Sequence, residues 1–137
     1  MDIQKLFDTM SKISMDERST YHVTLGEMIN ALIDVDHNKR VVLSDAPDAG
    51  LGRPMSYRGY YSDLAFDPTD GPTTVGKLLA ECNVANGNTF EGYKGGEYAM
   101  GKDTPLWVAG YGDASGRAIV ATTDTPDAFV LTIKKVA

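Results

Sequence analysis

Apolar residues at the start of the chain recur at helical spacing. Ile3, Leu6, Phe7, Met10 and Ile13 fall on one face of an amphipathic helix. The polar stretch Ser14–Thr20 predicts a loop. Thr24 and Glu27 make a capping-box pattern ahead of a second periodic run, whose stripe is Met28, Ile29, Leu32 and Ile33. After Asp36–Lys39, the run RVVL (Arg40–Leu43) reads as a short strand. Ser44–Pro54 is rich in Gly, Pro and Asp and predicts a loop. SYRGYYSDLAF (Ser56–Phe66) then predicts a strand, with Gly59 marking a bulge or a close approach by another group. Asp67–Pro72 predicts a turn. Thr74–Cys82 predicts a third helix, with Val75, Leu78, Leu79 and Cys82 on one face.

The pattern then changes to period two. Thr89–Tyr93 and Glu97–Met100 flank Gly95 and Gly96, which predicts a hairpin. Pro105–Tyr111, Arg117–Thr123 and Ala128–Lys135 follow as strands, joined by the turn-rich GDASG and DTPD. The sum is one α+β domain over residues 1–137, an antiparallel β-sheet packed against a few α-helices. TLGEMINAL (Thr24–Leu32) and TVGKLLAEC (Thr74–Cys82) share an order of Thr, apolar, Gly, charged, apolar, apolar. Both obey the rules for a helix start, a simpler account than duplication.

Composition narrows the functional classes. Of 137 residues 42% are hydrophobic, enough for a core. The formal net charge of −6 argues against a general nucleic-acid coat or a binder of anionic membranes. A small anionic ligand needs only a few local cations and stays open. The single cysteine, Cys82, cannot form an internal disulfide, which fits a reducing cytoplasm. MDIQKLFDTM lacks the apolar core of a signal peptide, and no apolar run approaches the ~20 residues of a membrane span. A soluble intracellular protein is expected.

Most catalytic templates find no match. His22 and His37 have no metal-ligand spacing, and with one cysteine they do not make a zinc site. Cys82 falls on an apolar helix stripe, where a buried structural thiol is expected rather than a nucleophile. GYKGGEYAMG is glycine-rich but has neither the Walker order nor a following helix. DVDHN (Asp34–Asn38) lacks the glycine and the distal glutamate of a calcium loop and reads as a solvated helix end. The expectation is no catalytic residues, no metal and no cofactor.

The aromatic residues are unevenly placed: nine of twelve lie between Tyr57 and Tyr111. Arg53, Arg58, Lys94, Lys102 and Arg117 lie in the same region. SYRGYY (Ser56–Tyr61) has an echo in GYKGGEY (Gly92–Tyr98). On a strand, Arg58 would share a face with Tyr60, Ser62, Leu64 and Phe66, and Arg117 with Ile119. Arginine is rarely buried without a partner, so each pairs with an internal acid such as Asp63 or Glu97, or meets a ligand. A flat base with phosphates suits this set: rings stack on bases and guanidinium forks match phosphates. Tyrosines also favour strands and arginines protect sheet edges, so composition alone leaves nucleotide binding open.

At these residues the chain resembles a known family. SYRGYYSDLAF, TVGKLLAEC, FEGYKGGEYAMGKDTPLWVA and SGRAIV, over roughly Leu51–Val120, are similar to the phage anti-Thoeris proteins of the first described type. The resemblance implies an anti-defence sponge. Such proteins hold the cyclic ADP-ribose signal of bacterial TIR-domain enzymes intact, in the cytoplasm of the infected bacterial host. It implies a sheet packed on helices and paired protomers with a pocket at the dimer interface. Some members assemble into hexamers and hold cyclic di- or trinucleotides of another defence system in a separate site. No DNA, RNA or membrane partner is implied. By the same resemblance Arg58 would contact phosphates, Phe90 would stack on adenine, and Arg117 would flank the base or ribose. Tyr60, Tyr93 and Met100 would line the walls. Asn88 is near the family's asparagine contact without matching its spacing. Two other readings stay open at this stage: a phosphodiesterase that degrades a cyclic nucleotide, and an acidic inhibitor that binds a host protein. An accessory structural protein without a ligand is a third.

Overall fold

The capping box forms as the sequence predicts. Thr24 Oγ1 accepts the Glu27 backbone N–H at 3.2 Å, and Glu27 Oε1 accepts the Thr24 N–H at 2.9 Å. Helix α1 (Leu25–Leu32) starts there and buries Leu25, Met28 and Leu32. The computed structural model describes residues 22–110 and 114–136. The helix expected over Ile3–Ile13 and the loop over Ser14–Thr20 lie outside these residues, as does Tyr111.

Strand β1 (Arg40–Leu43) follows, then β2 (Leu51–Ser56), β3 (Leu64–Pro68) and the short β4 (Thr73–Thr74). Helix α2 (Val75–Ala85) is capped by Thr74, whose hydroxyl accepts the Lys77 N–H at 3.3 Å. The hairpin β5 (Thr89–Glu91) and β6 (Glu97–Ala99) comes next, and β7 (Leu106–Val108), β8 (Arg117–Asp124) and β9 (Phe129–Lys135) complete the chain. Among the described residues no helix is long and apolar enough to cross a membrane.

Seven strands form one sheet in the order β2-β3-β7-β8-β9-β1-β4, and β5–β6 stand apart as a pair. The architecture is α+β and the sheet mostly antiparallel, as expected. Two pairings are parallel, β1 with β9 and β3 with β7. Both join strands far apart in sequence, which local patterning does not encode. Strand β2 takes Leu51–Pro54 out of the stretch expected to be loop. Its Pro54 is tolerated because β2 is an edge strand, where a missing N–H breaks no interior ladder.

Alternation sorts the strand residues between two faces. Leu64, Phe66, Leu106, Val108 and Ile119 join Leu25, Met28, Leu78 and Cys82 in the helix-side core. Ala65, Trp107 and Ala118 belong to a second cluster on the other face, with Tyr57 and Ala109. Every residue of β7 is buried, since both sides of this central strand are covered.

The two helix starts that share a sequence pattern are also built alike. Leu25 and Gly26 donate their N–H groups to the carbonyls of Thr104 and Lys102, both at 2.9 Å. Val75 and Gly76 donate to Lys39 and His37, at 2.9 and 3.0 Å. Each glycine lets a loop cross close to the helix end: a Cβ on Gly26 would stand 2.9 Å from Lys102 Cβ, and one on Gly76 3.1 Å from His37 Cβ.

Candidate functional site

Beyond Ser56, the last residue of β2, SYRGYY is not a strand. The ladder between β2 and β3 ends at the Ser56–Leu64 pair, and Tyr57–Asp63 connects them as a loop. Tyr57 donates its N–H to Asp63 O and Asp63 donates its N–H to Tyr60 O, both at 2.9 Å. Ser56 Oγ donates to Tyr61 O at 2.5 Å. These bonds turn the chain inside the motif and overcome the strand preference of its tyrosines. The expected face of Arg58 with Tyr60, Leu64 and Phe66 is therefore corrected. Leu64 and Phe66 belong to the helix-side core, while Arg58 leaves the sheet altogether.

The loop folds against the second motif. Arg58 Cζ lies 3.2 Å from the centre of the Tyr93 ring, and the Tyr61 and Tyr98 rings are 5.6 Å apart. A guanidinium over an aromatic face is held by the ring quadrupole. Among the described residues no carboxylate forms an ion pair with Arg58. The two cation–aromatic stretches thus meet in space, although more than thirty positions separate Arg58 from Tyr93.

On the other side of the loop, aromatic rings cover the second sheet face. Tyr57 stacks on Trp107 with centroids 4.1 Å apart and planes 6° apart. His22 lies against Trp107 at 4.3 Å. Trp107 Nε1 donates to the buried Asp63 at 2.9 Å. The Tyr57 hydroxyl accepts the Gly116 N–H at 3.0 Å. Burial raises the Tyr57 pKa above its ordinary value, partly offset by that hydrogen bond. Beside these rings is a cavity of about 220 Å³, walled by Tyr57, Tyr60, Trp107 and Val136, with Gly59, Ala114 and Gly116 at the small positions.

The six expected site residues fall in several places. Arg58 and Tyr93 are in contact, and Tyr60, 36% exposed, borders the cavity. Phe90 pairs with Tyr98 across the hairpin and packs on the helix-side core. Met100 is 2% exposed inside that core, so it is a packing residue rather than a cavity wall. Arg117 is held by Asp45 through two hydrogen bonds, Nε to Oδ2 at 2.9 Å and Nη2 to Oδ1 at 2.7 Å. It shares a strand face with Ile119, as expected, and its partner is an acid from the β1–β2 loop rather than Asp63 or Glu97. Asn88 donates its side-chain amide to Val84 O at the end of α2. Trp107, Tyr57 and Asp63 were not expected as site residues. The uninterrupted run Leu106–Ala109 was the available signal, since it marks a strand buried on both faces.

Among the described residues no group of His, Cys, Asp and Glu could hold a metal ion. Burial pushes the Cys82 thiol up to about 12, so it is a poor nucleophile. What the cluster offers is recognition: a cation with no carboxylate partner among the described residues, exposed ring surface and glycine-rich backbone. A comparison with protein-family models, curated proteins and solved structures finds no match.

Proposed function

We propose that this protein is a sponge: it binds a cyclic ADP-ribose-type signal through the Tyr57–Asp63 loop and the β5–β6 hairpin, and holds it without cleaving it. One observation carries the reading: Arg58 sits on Tyr93 with no carboxylate among the described residues to neutralise it, in a protein of net charge −6. Arg117, by contrast, is already neutralised by Asp45. A guanidinium held on a ring keeps its fork free for a phosphate, while neighbouring rings offer stacking surface worth about 1–3 kcal/mol per base. Sequestration at signalling concentrations calls for a nanomolar Kd, about −12 kcal/mol. Ligands of this size occupy pockets of about 300–1,000 Å³, more than the 220 Å³ cavity beside the loop. The ligand therefore lies across the Arg58–Tyr93 surface, and a second protomer closes over it.

Calorimetry with a panel of cyclic ADP-ribose isomers, cyclic dinucleotides and cyclic trinucleotides tests the reading. A sponge gives heat with at least one member, and heat denaturation releases that ligand intact. No heat with any of them sinks the proposal, and a cleaved product makes the protein a phosphodiesterase.

A further inference from the structure

The cavity beside Trp107 differs in chemistry from the Arg58–Tyr93 surface. Among the described residues that wall it, no side chain carries a carboxylate, ammonium or guanidinium; the phenols of Tyr57 and Tyr60 are its hydroxyl groups. A charged group entering it would lose water without meeting a counter-charge on these walls. Aromatic walls instead favour another ring, by stacking on Tyr60 or by edge contact with the Tyr57 and Trp107 rings. At about 220 Å³ it is below the size that encloses a whole drug-sized ligand, and suits one small ring system.

The space is built into the backbone. A Cβ on Gly59 would stand 2.9 Å from both Ala114 Cβ and Tyr57 Cε2, so a larger residue there would crowd the site. Gly116 has φ +70, and a Cβ on it would stand 2.6 Å from Val136 O. The Tyr57 hydroxyl holds the Gly116 N–H, and the Gly116 carbonyl accepts the Val136 N–H at 2.7 Å. Larger residues at positions 59 and 116 would thus collide with the frame, which is hydrogen-bonded before any ligand arrives.

We infer that this cavity is a separate binding site for one neutral planar heteroaromatic ring, of the kind found in nucleobases and nicotinamide. This inference does not depend on the sponge reading, because the Arg58 guanidinium is not part of the cavity wall.

The chain has a single tryptophan, so the Trp107 indole N–H gives one NMR signal that reports from the wall. Nicotinamide and nicotinate make a matched pair that differs in charge. Nicotinamide and adenine should each shift the Trp107 signal saturably, with Kd on the order of a millimolar or tighter for ligands so small. Nicotinate should bind at least tenfold more weakly. Val136→Phe, which fills the cavity, should abolish the nicotinamide shift. If that variant does not fold, the nicotinamide–nicotinate comparison in the unsubstituted protein decides. An unsaturable response to nicotinamide, equal binding of nicotinate, or a shift that survives in folded Val136→Phe overturns the inference.

Discussion

Trp107→Phe is the sharpest test of how the second sheet face is held. Phenylalanine preserves a ring that can stay near Tyr57, now 4.1 Å from the indole, but it removes the donor that Asp63 accepts at 2.9 Å. Asp63 is 2% exposed, so water cannot replace the lost bond without local opening. Weakening the satisfaction of a buried polar group costs about 1–3 kcal/mol. The smaller ring adds about 1 kcal/mol for lost contacts and residual space. A total near 3 kcal/mol is expected, about 10 °C in melting temperature for a domain of this size. Urea unfolding followed by far-ultraviolet circular dichroism measures it, because the fluorescent reporter is gone. Asp63→Asn keeps an acceptor and should cost about 1 kcal/mol. The double variant should then fall short of the summed losses by about 1 kcal/mol, the signature of two groups acting on each other. A loss below about 1 kcal/mol for Trp107→Phe, or strict additivity in the cycle, would refute the assignment of the indole–carboxyl bond as a support of this face.

Four further outcomes are expected. Arg58→Ala should weaken binding of the signal nucleotide at least tenfold, ~1.4 kcal/mol, while moving stability by no more than about 1 kcal/mol, the size of an exposed cation–π contact; calorimetry and melting read the two effects. Phe90→Ala should weaken binding by a similar factor through the hairpin it supports, whereas Arg117→Ala, whose guanidinium Asp45 already holds, should leave binding nearly unchanged; the reverse pattern would move the site to Arg117. Thr24→Ala should lower the urea midpoint by an amount equal to about 1 kcal/mol, through loss of the N-cap of α1. An unfolded Cys82 thiol titrates near its ordinary 9.0 and the folded one near 12, so the unfolded chain loses its proton first. Stability should therefore fall as pH rises between these values, by up to about 1.4 kcal/mol per unit, and Cys82→Ala should lack that share of the slope in denaturant titrations at graded pH.

The elements with strong local signals were legible in the sequence. The Thr24–Glu27 box, the apolar stripe of α2 and the Gly95–Gly96 hairpin all form where their residues predict. The α+β class followed from the change of period between the two halves. The boundary around SYRGYY was not legible. Tyr57, Tyr60 and Tyr61 have strand preference, but tertiary contacts decide: the stack of Tyr57 on Trp107 and the bond from Tyr57 N–H to Asp63 O turn the chain where propensity would extend it. The same error hid β2, because Gly52 and Pro54 look like loop unless the strand is known to lie at an edge.

The candidate site was half legible. Clustering of aromatic and cationic residues in sequence pointed to both motifs, and Arg58 and Tyr93 do meet. Their contact is made by a side chain reaching out of a loop, not by alternation along a strand. Met100 could not be told from a wall residue, since a buried methionine and a ligand-facing one occupy the same kind of position in sequence. Asp45 was invisible as a partner of Arg117 because β9 lies between their strands, and the parallel pairing of β1 with β9 brings them together.

The matching starts of α1 and α2 carry a consequence for anions. A helix N-terminus can cradle a phosphate because its first N–H groups point outward without partners. Here the first two of each helix are given to the crossing loops at Lys102–Thr104 and His37–Lys39, and the third to the threonine hydroxyl. Both dipole ends are plugged by the protein's own carbonyls and hydroxyls. A phosphate held by the described residues must therefore be met by side-chain cations or by loop backbone, and not by α1 or α2.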